Sequence, residues 1–139
     1  MVPCVGPSKL CAVVLYVLML GSARADDNAV IGRWYSALLV ADRGQLADML
    51  ADDARIRLQD VDTEQNKQQF LASMDEWQGA VSGANIRHRI ESAENGLITV
   101  VVCYDFPGND LLTREVFALT DERITASSQA TIAENCDGF

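Results

Sequence analysis

Apolar and polar positions change period three times along this chain, and each change marks a change of element. Val30, Ile31, Trp34, Leu38 and Leu39 recur at i, i+3, i+4 spacing, the stripe of a helix that buries one side. A second short helix, about Arg43 to Leu50, turns Leu46, Met49 and Leu50 inward. Between Ala54 and Leu58 the period drops to two. Ile56 and Leu58 share one face and Arg55 and Arg57 the other, which predicts a strand with one wet side. Helical spacing then returns through Phe70, Leu71, Met74 and Trp77. Asp62, with Gln65 three residues later, is the expected N-cap of that helix, and Gly79 to Gly83 ends it.

From Asn85 onward the alternation is sustained. Asn95-Gly96 is a two-residue hairpin signal, because a type I′ turn needs positive φ at both central residues. Pro107 to Asp110 and Asp121-Glu122 supply two further bends. The strands are therefore expected at about 85–94, 97–106, 111–120 and 123–132. Helices first, then one short strand, a helix and four long strands define an α+β domain, its helices covering one face of a curved antiparallel sheet.

Upstream of this pattern lies an apolar run from Leu10 to Leu20, preceded by Lys9 and followed by small residues that include Ala23 and Ala25. That order is the one found in a cleavable secretory signal with an A-x-A site. The run is about half the roughly 20 residues a spanning helix needs, so no stable membrane anchor is expected after cleavage. Residues 1–25 are read as the signal and residues 26–139 as a single exported domain, periplasmic or secreted. Lys9 and Arg24 leave with the signal, so the remaining charge is (11 − 2) − 20 = −11 with His88 neutral. An acidic excess of that size argues against a nucleic-acid partner, which is bound through clustered Lys and Arg. Cys4 and Cys11 leave too. The remaining pair, Cys103 and Cys136, reads as one disulfide in an oxidising compartment, with two free thiols as the alternative. Two cysteines and one histidine give no support for a metal site, and no cofactor is implied.

Trp34-Tyr35-Ser36-Ala37-Leu38-Leu39, Asp42-Arg43-Gly44 and Leu50-Ala51-Asp52-Asp53-Ala54-Arg55-Ile56 resemble the opening of the nuclear transport factor two-like superfamily, which includes SnoaL-like cyclases and ketosteroid isomerases. In element order the resemblance extends over nearly all of residues 26–139. It implies a cone-shaped sheet around a long helix, with a deep apolar pocket used for catalysis, ligand binding or protein contact. Aligned on Ala51-Asp52-Asp53-Ala54, the isomerases' tyrosine falls on Trp34, their aspartate base on Leu58 and their second aspartate on Glu115. Tryptophan has no hydroxyl and leucine takes no proton, so isomerisation by that mechanism is not expected.

Polar residues that alternate in phase with apolar ones are the candidates for chemistry. His88 lies between Ile86 and Ile90 on one face, while Arg87, Arg89 and Glu91 take the other. Glu115 shares a face with Thr113, Phe117 and Leu119, and Asp60 follows Ile56 and Leu58 by the same step. Trp34, Tyr35, Leu58 and Phe117 are expected to line a pocket in which His88, Glu115 and Asp60 converge, and a carboxylate beside an imidazole is a general acid/base pair. Each residue also has an ordinary structural reading. His88 can be a hydrogen-bonded core residue, Glu115 an arginine partner and Asp60 a turn residue, and Arg57, Arg87 and Arg89 can form a solvated or homodimer-forming sheet face. Three functions follow: binding of a small apolar or amphipathic molecule; a cofactor-free isomerase, cyclase or hydrolase using His88 with Glu115 or Asp60; and protein interaction through the outer face. The absent isomerase tyrosine and aspartate favour binding.

Overall fold

A computed structural model describes residues 26–139. The expected signal, its cleavage site, Cys4 and Cys11 lie outside the described residues. The chain opens with helix α1 (residues 26–39) and continues through α2 (Arg43–Met49), β1 (Leu50–Leu58), a 3-10 turn (Gln59–Val61), β2 (Thr63–Asn66) and α3 (Lys67–Ala80). It ends in four long strands, β3 (Asn85–Glu94), β4 (Leu97–Phe106), β5 (Asn109–Thr120) and β6 (Arg123–Ala133). The strands form one sheet in the order β2-β1-β6-β5-β4-β3. The α+β class expected from the sequence is the class observed.

Three details differ from the sequence reading. The sheet is mixed rather than antiparallel throughout, because β1 runs parallel to β6 with Ile56 opposite Ser127 and Leu58 opposite Gln129. The third helix starts at Lys67 instead of near Asp62. Asp62 stands at φ 46°, in the left-handed region, where an N-cap does not sit. Residues 63–66 pair with 55–58 as an extra strand instead. Asn66 is the cap, its side chain accepting from the Gln69 amide while the Gln69 side chain accepts from the Asn66 amide. Finally, β1 begins four residues earlier than the alternation signalled, at Leu50.

The Asn95-Gly96 hairpin is as expected, with φ 54° and 74° at its two central residues. Asp121 and Glu122 make the same kind of turn at φ 51° and 61° without glycine. Each helix buries one stripe against the sheet. Val30, Ile31, Trp34 and Leu38 of α1 join Phe70 and Met74 of α3, Ile56, Val100, Val102, Tyr104, Phe117 and Ile124 in one core. A smaller cluster lies on the opposite face, where Val101, Cys103 and Leu112 pack under Cys136 and Phe139 of the C-terminal segment. Cys103 and Cys136 are joined by a disulfide.

Candidate functional site

Cross-strand register brings the site together. Reading across the inner face, Leu58, Gln129, Glu115, Val100 and Ile90 are successive partners on β1, β6, β5, β4 and β3. The adjacent row runs Ile56, Ser127, Phe117 and Ile98. Glu115 is thus fixed in the middle of the sheet, beneath α1, and is only 4% exposed.

Its two carboxyl oxygens are held by three hydroxyls from three elements. Tyr35 of α1 donates to Oε2 at 2.8 Å, and Tyr104 of β4 donates to Oε1 at 2.5 Å. Thr113, two residues away on the same face of β5, donates to Oε1 at 3.2 Å. Burial disfavours the carboxylate and pushes the Glu115 pKa above its usual 4.5, while the hydroxyls of Tyr104, Tyr35 and Thr113 pull the other way. Both tyrosines are held well above 10.0, first by burial and then by the neighbouring Glu115 charge.

Glu115 stands at the wall of a cavity of about 460 Å³ between α1, α3 and the sheet. Six aromatic or aliphatic side chains, Trp34, Leu58, Phe70, Trp77, Phe106 and Phe117, form much of its lining, and Ser127, Ser128 and Gln129 add polar groups along β6. The aromatic walls brace one another. Trp34 stacks on Phe70 at 5.4 Å and meets Phe117 edge-on at 6.1 Å, and Trp77 is edge-on to Tyr104 at 5.8 Å and to Phe106 at 5.9 Å. The indole N–H of Trp77 donates to the Leu38 carbonyl at 2.7 Å, which fixes α3 to the end of α1. Glu76 and Ala80, both exposed, mark the mouth on the α3 side.

The structure brings some of the candidate residues together and separates others. Trp34, Leu58, Glu115 and Phe117 line the cavity; Tyr35 does not line it as expected, and its hydroxyl instead bonds the wall carboxylate Glu115. His88 is on the inner face, but on the edge strand β3, and Tyr35 stacks on its ring at 4.8 Å between it and the carboxylate. His88 is not part of the cavity lining, and burial lowers its pKa below 6.5. Asp60 is exposed outside the cavity. It accepts from the Thr131 hydroxyl at 2.6 Å and from the Thr131 amide at 3.0 Å, tying the 3-10 turn to β6. Asp60 leaves the face it was assigned to because alternation stops where the turn begins at Gln59. Arg87 and Arg89 lie over the Phe139 ring at 4.9 and 5.1 Å, so the C-terminal residue occupies that part of the outer face. Among the described residues no three His, Cys, Asp or Glu side chains converge as a metal site, and no helix is long and apolar enough to cross a membrane.

The sequence reading did not single out Tyr104 and Thr113 as partners of Glu115. Tyr104 carried only the general signal of a phenol that needs a partner wherever it is buried, with nothing in the pattern of β4 to say which face it takes.

The Glu115 shift has a measurable sign. The folded chain keeps the carboxyl proton at pH values where the unfolded chain has lost it. Unfolding free energy should therefore fall as pH rises from about 4.5 through the folded value, and level off above it. His88, whose folded pKa is lowered, acts oppositely, adding stability as pH rises toward 6.5. Urea midpoints of wild type and Glu115→Gln between about pH 4 and 8 separate the two contributions, because only the first disappears in the variant. Parallel profiles for the two proteins would show that the carboxyl is not shifted.

With this geometry in view, comparison with solved structures assigns the fold to the nuclear transport factor two-like type. An NTF-2-like protein of unknown function from Burkholderia xenovorans LB400 superposes with a TM-score of 0.66 at 14% identity, covering 78% of this chain and 84% of that one. IdmH, a candidate polyketide cyclase from Streptomyces antibioticus, gives 0.66 at 14% identity over 76% of this chain and 91% of its own. An LEH-like epoxide hydrolase from M. tuberculosis gives 0.59 at 15% identity over 77% and 83%. No protein-family model and no curated protein matches the sequence. Proteins of this fold differ in what they do, so the reading of function rests on the cavity.

Proposed function

We propose that the protein binds a small apolar or amphipathic molecule in the cavity beside Glu115, and does so as an exported protein after loss of residues 1–25. One observation carries the reading: a cavity of about 460 Å³ walled by aromatic side chains with a single buried carboxylate at its wall. An apolar lining with few fixed polar groups is the usual chemistry of small-molecule sites, the walls supplying affinity and the polar group orientation. Export is supported by the apolar run and A-x-A order upstream of Asp26, and by the Cys103–Cys136 disulfide, which belongs to an oxidising compartment. The catalytic alternative draws on His88 or Asp60 beside Glu115. Neither lines the cavity, so binding is the reading the geometry supports best.

Native mass spectrometry of the protein purified without reductant, followed by denaturation, tests this. The expected result is a released small molecule near one equivalent, or quenching of Trp34 and Trp77 fluorescence by apolar probes added to empty protein. Equal native and denatured masses, with indole fluorescence indifferent to every apolar probe, would sink the proposal.

A further inference from the structure

We infer that the molecule this cavity takes is a cation with an apolar body, an amine or quaternary ammonium whose charge pairs with Glu115. This deepens the binding reading above and rests on it.

The argument starts from an imbalance of charge. Glu115 is the one charged side chain that is buried among the described residues. All three groups that bond to it are neutral hydroxyls, so no protein cation neutralises it. None of the cavity-lining residues is Lys, Arg or His, whereas Glu76 adds a second carboxylate at the mouth. Three cations on neighbouring elements are engaged elsewhere. Lys67 donates to the Leu50 carbonyl, Arg43 pairs with Asp75, and Arg57 pairs with Asp62. Buried charges are ordinarily paired, because an isolated one loses its hydration without compensation.

The remaining walls suit a cation as well. Trp34, Trp77, Tyr104, Phe106 and Phe117 present π systems, whose negative faces attract an ammonium or its polarised methyl groups. A carboxylate ligand would meet Glu115 and Glu76 with no opposing charge, which disfavours the anionic class. A neutral ligand would leave Glu115 unpaired and favour its protonated form. A cation satisfies the aromatic walls and the carboxylate charge together. The net charge of −11 over residues 26–139 adds long-range attraction of the same sign preference.

Three ligands sharing one body separate the classes: naphthylmethyl-trimethylammonium, its carbon isostere neopentylnaphthalene, and naphthylacetate, each titrated calorimetrically into the purified protein. The ammonium should bind at least roughly tenfold more tightly than the isostere, and the acetate most weakly. Glu115→Gln should remove that preference, read as the ratio of ammonium to isostere affinity falling to about one. Should the variant fail to fold, wild type supplies the same test. Acidification protonates Glu115 and should weaken the ammonium selectively, the other groups facing the carboxyl being Tyr35 and Tyr104, with His88 stacked behind Tyr35. An isostere that binds as tightly as the ammonium, or an ammonium indifferent to both Glu115→Gln and acidification, overturns the cation assignment and leaves the cavity reading standing. Failure of all three to bind overturns both.

Discussion

Phe117→Ala should lower the unfolding free energy by about 3–5 kcal/mol, the range for truncating a buried phenylalanine. Phe117 is 1% exposed and lies on β5 where the sheet meets both ends of the site. Its ring is edge-on to Trp34 at 6.1 Å and to Tyr35 at 6.2 Å, so it supports the tryptophan that walls the cavity and the tyrosine that bonds Glu115. Truncation removes buried apolar area and both aromatic contacts, and it leaves a space beside an existing cavity that the neighbours do not fill by a small shift. Stability and binding should therefore change together. The urea midpoint falls, and affinity for a ligand that fits the wild-type cavity falls with it, because Tyr35 loses the surface that aims its hydroxyl. A loss below about 1.5 kcal/mol would mean that this wall collapses on truncation, and the cavity would then be plastic rather than preformed.

How much of this was legible in the chain depended on whether the signal was local. The α1 stripe and the Asn95-Gly96 turn involve residues within one turn of helix or one hairpin, and both formed as the pattern indicated. Glu115 was legible as an inward residue because β5 alternates cleanly around it. Tyr104 was hidden because β4 is apolar on both faces, with Val101 and Cys103 buried under the C-terminal segment as deeply as Val100 and Val102 are buried under the helices. A strand buried on both sides loses its parity signal. The sequence reading placed the cap of α3 at Asp62 with Gln65, and the observed cap, Asn66 with Gln69, repeats the same spacing four residues later. Propensity does not separate them. Pairing of 63–66 with 55–58 does, and that is a tertiary event. The parallel contact between β1 and β6 joins residues about 70 positions apart, such as Ile56 and Ser127, and no local period reports it. Asp60 shows the opposite hazard, in which a period is extended one step past the place where the backbone leaves the sheet.

Removing the Cys103–Cys136 disulfide should cost about 3–4 kcal/mol while leaving the cavity able to bind. The two cysteines are separated by 33 residues, and the chain-entropy treatment of a loop that long gives this magnitude, through the added freedom of the unfolded chain. The bond lies on the outer face of the sheet, where Cys103 and Cys136 join Val101 and Leu112, and the cavity lies on the inner face against the helices. The same bond positions the segment that carries Phe139 across Arg87 and Arg89. A Cys103→Ala, Cys136→Ala double variant avoids a buried hydroxyl at position 103, which is fully buried. Its urea midpoint should fall by an amount matching that of wild type under reductant, with no change in the affinity measured for an apolar probe. Uncovering the outer face should also free Arg87 and Arg89 from the Phe139 ring, seen as faster protease removal of the C-terminal residues. Loss of probe binding in step with loss of stability would show instead that the two faces of the sheet are coupled through β4, whose Val101 and Cys103 face outward and whose Val100, Val102 and Tyr104 face the core below the site.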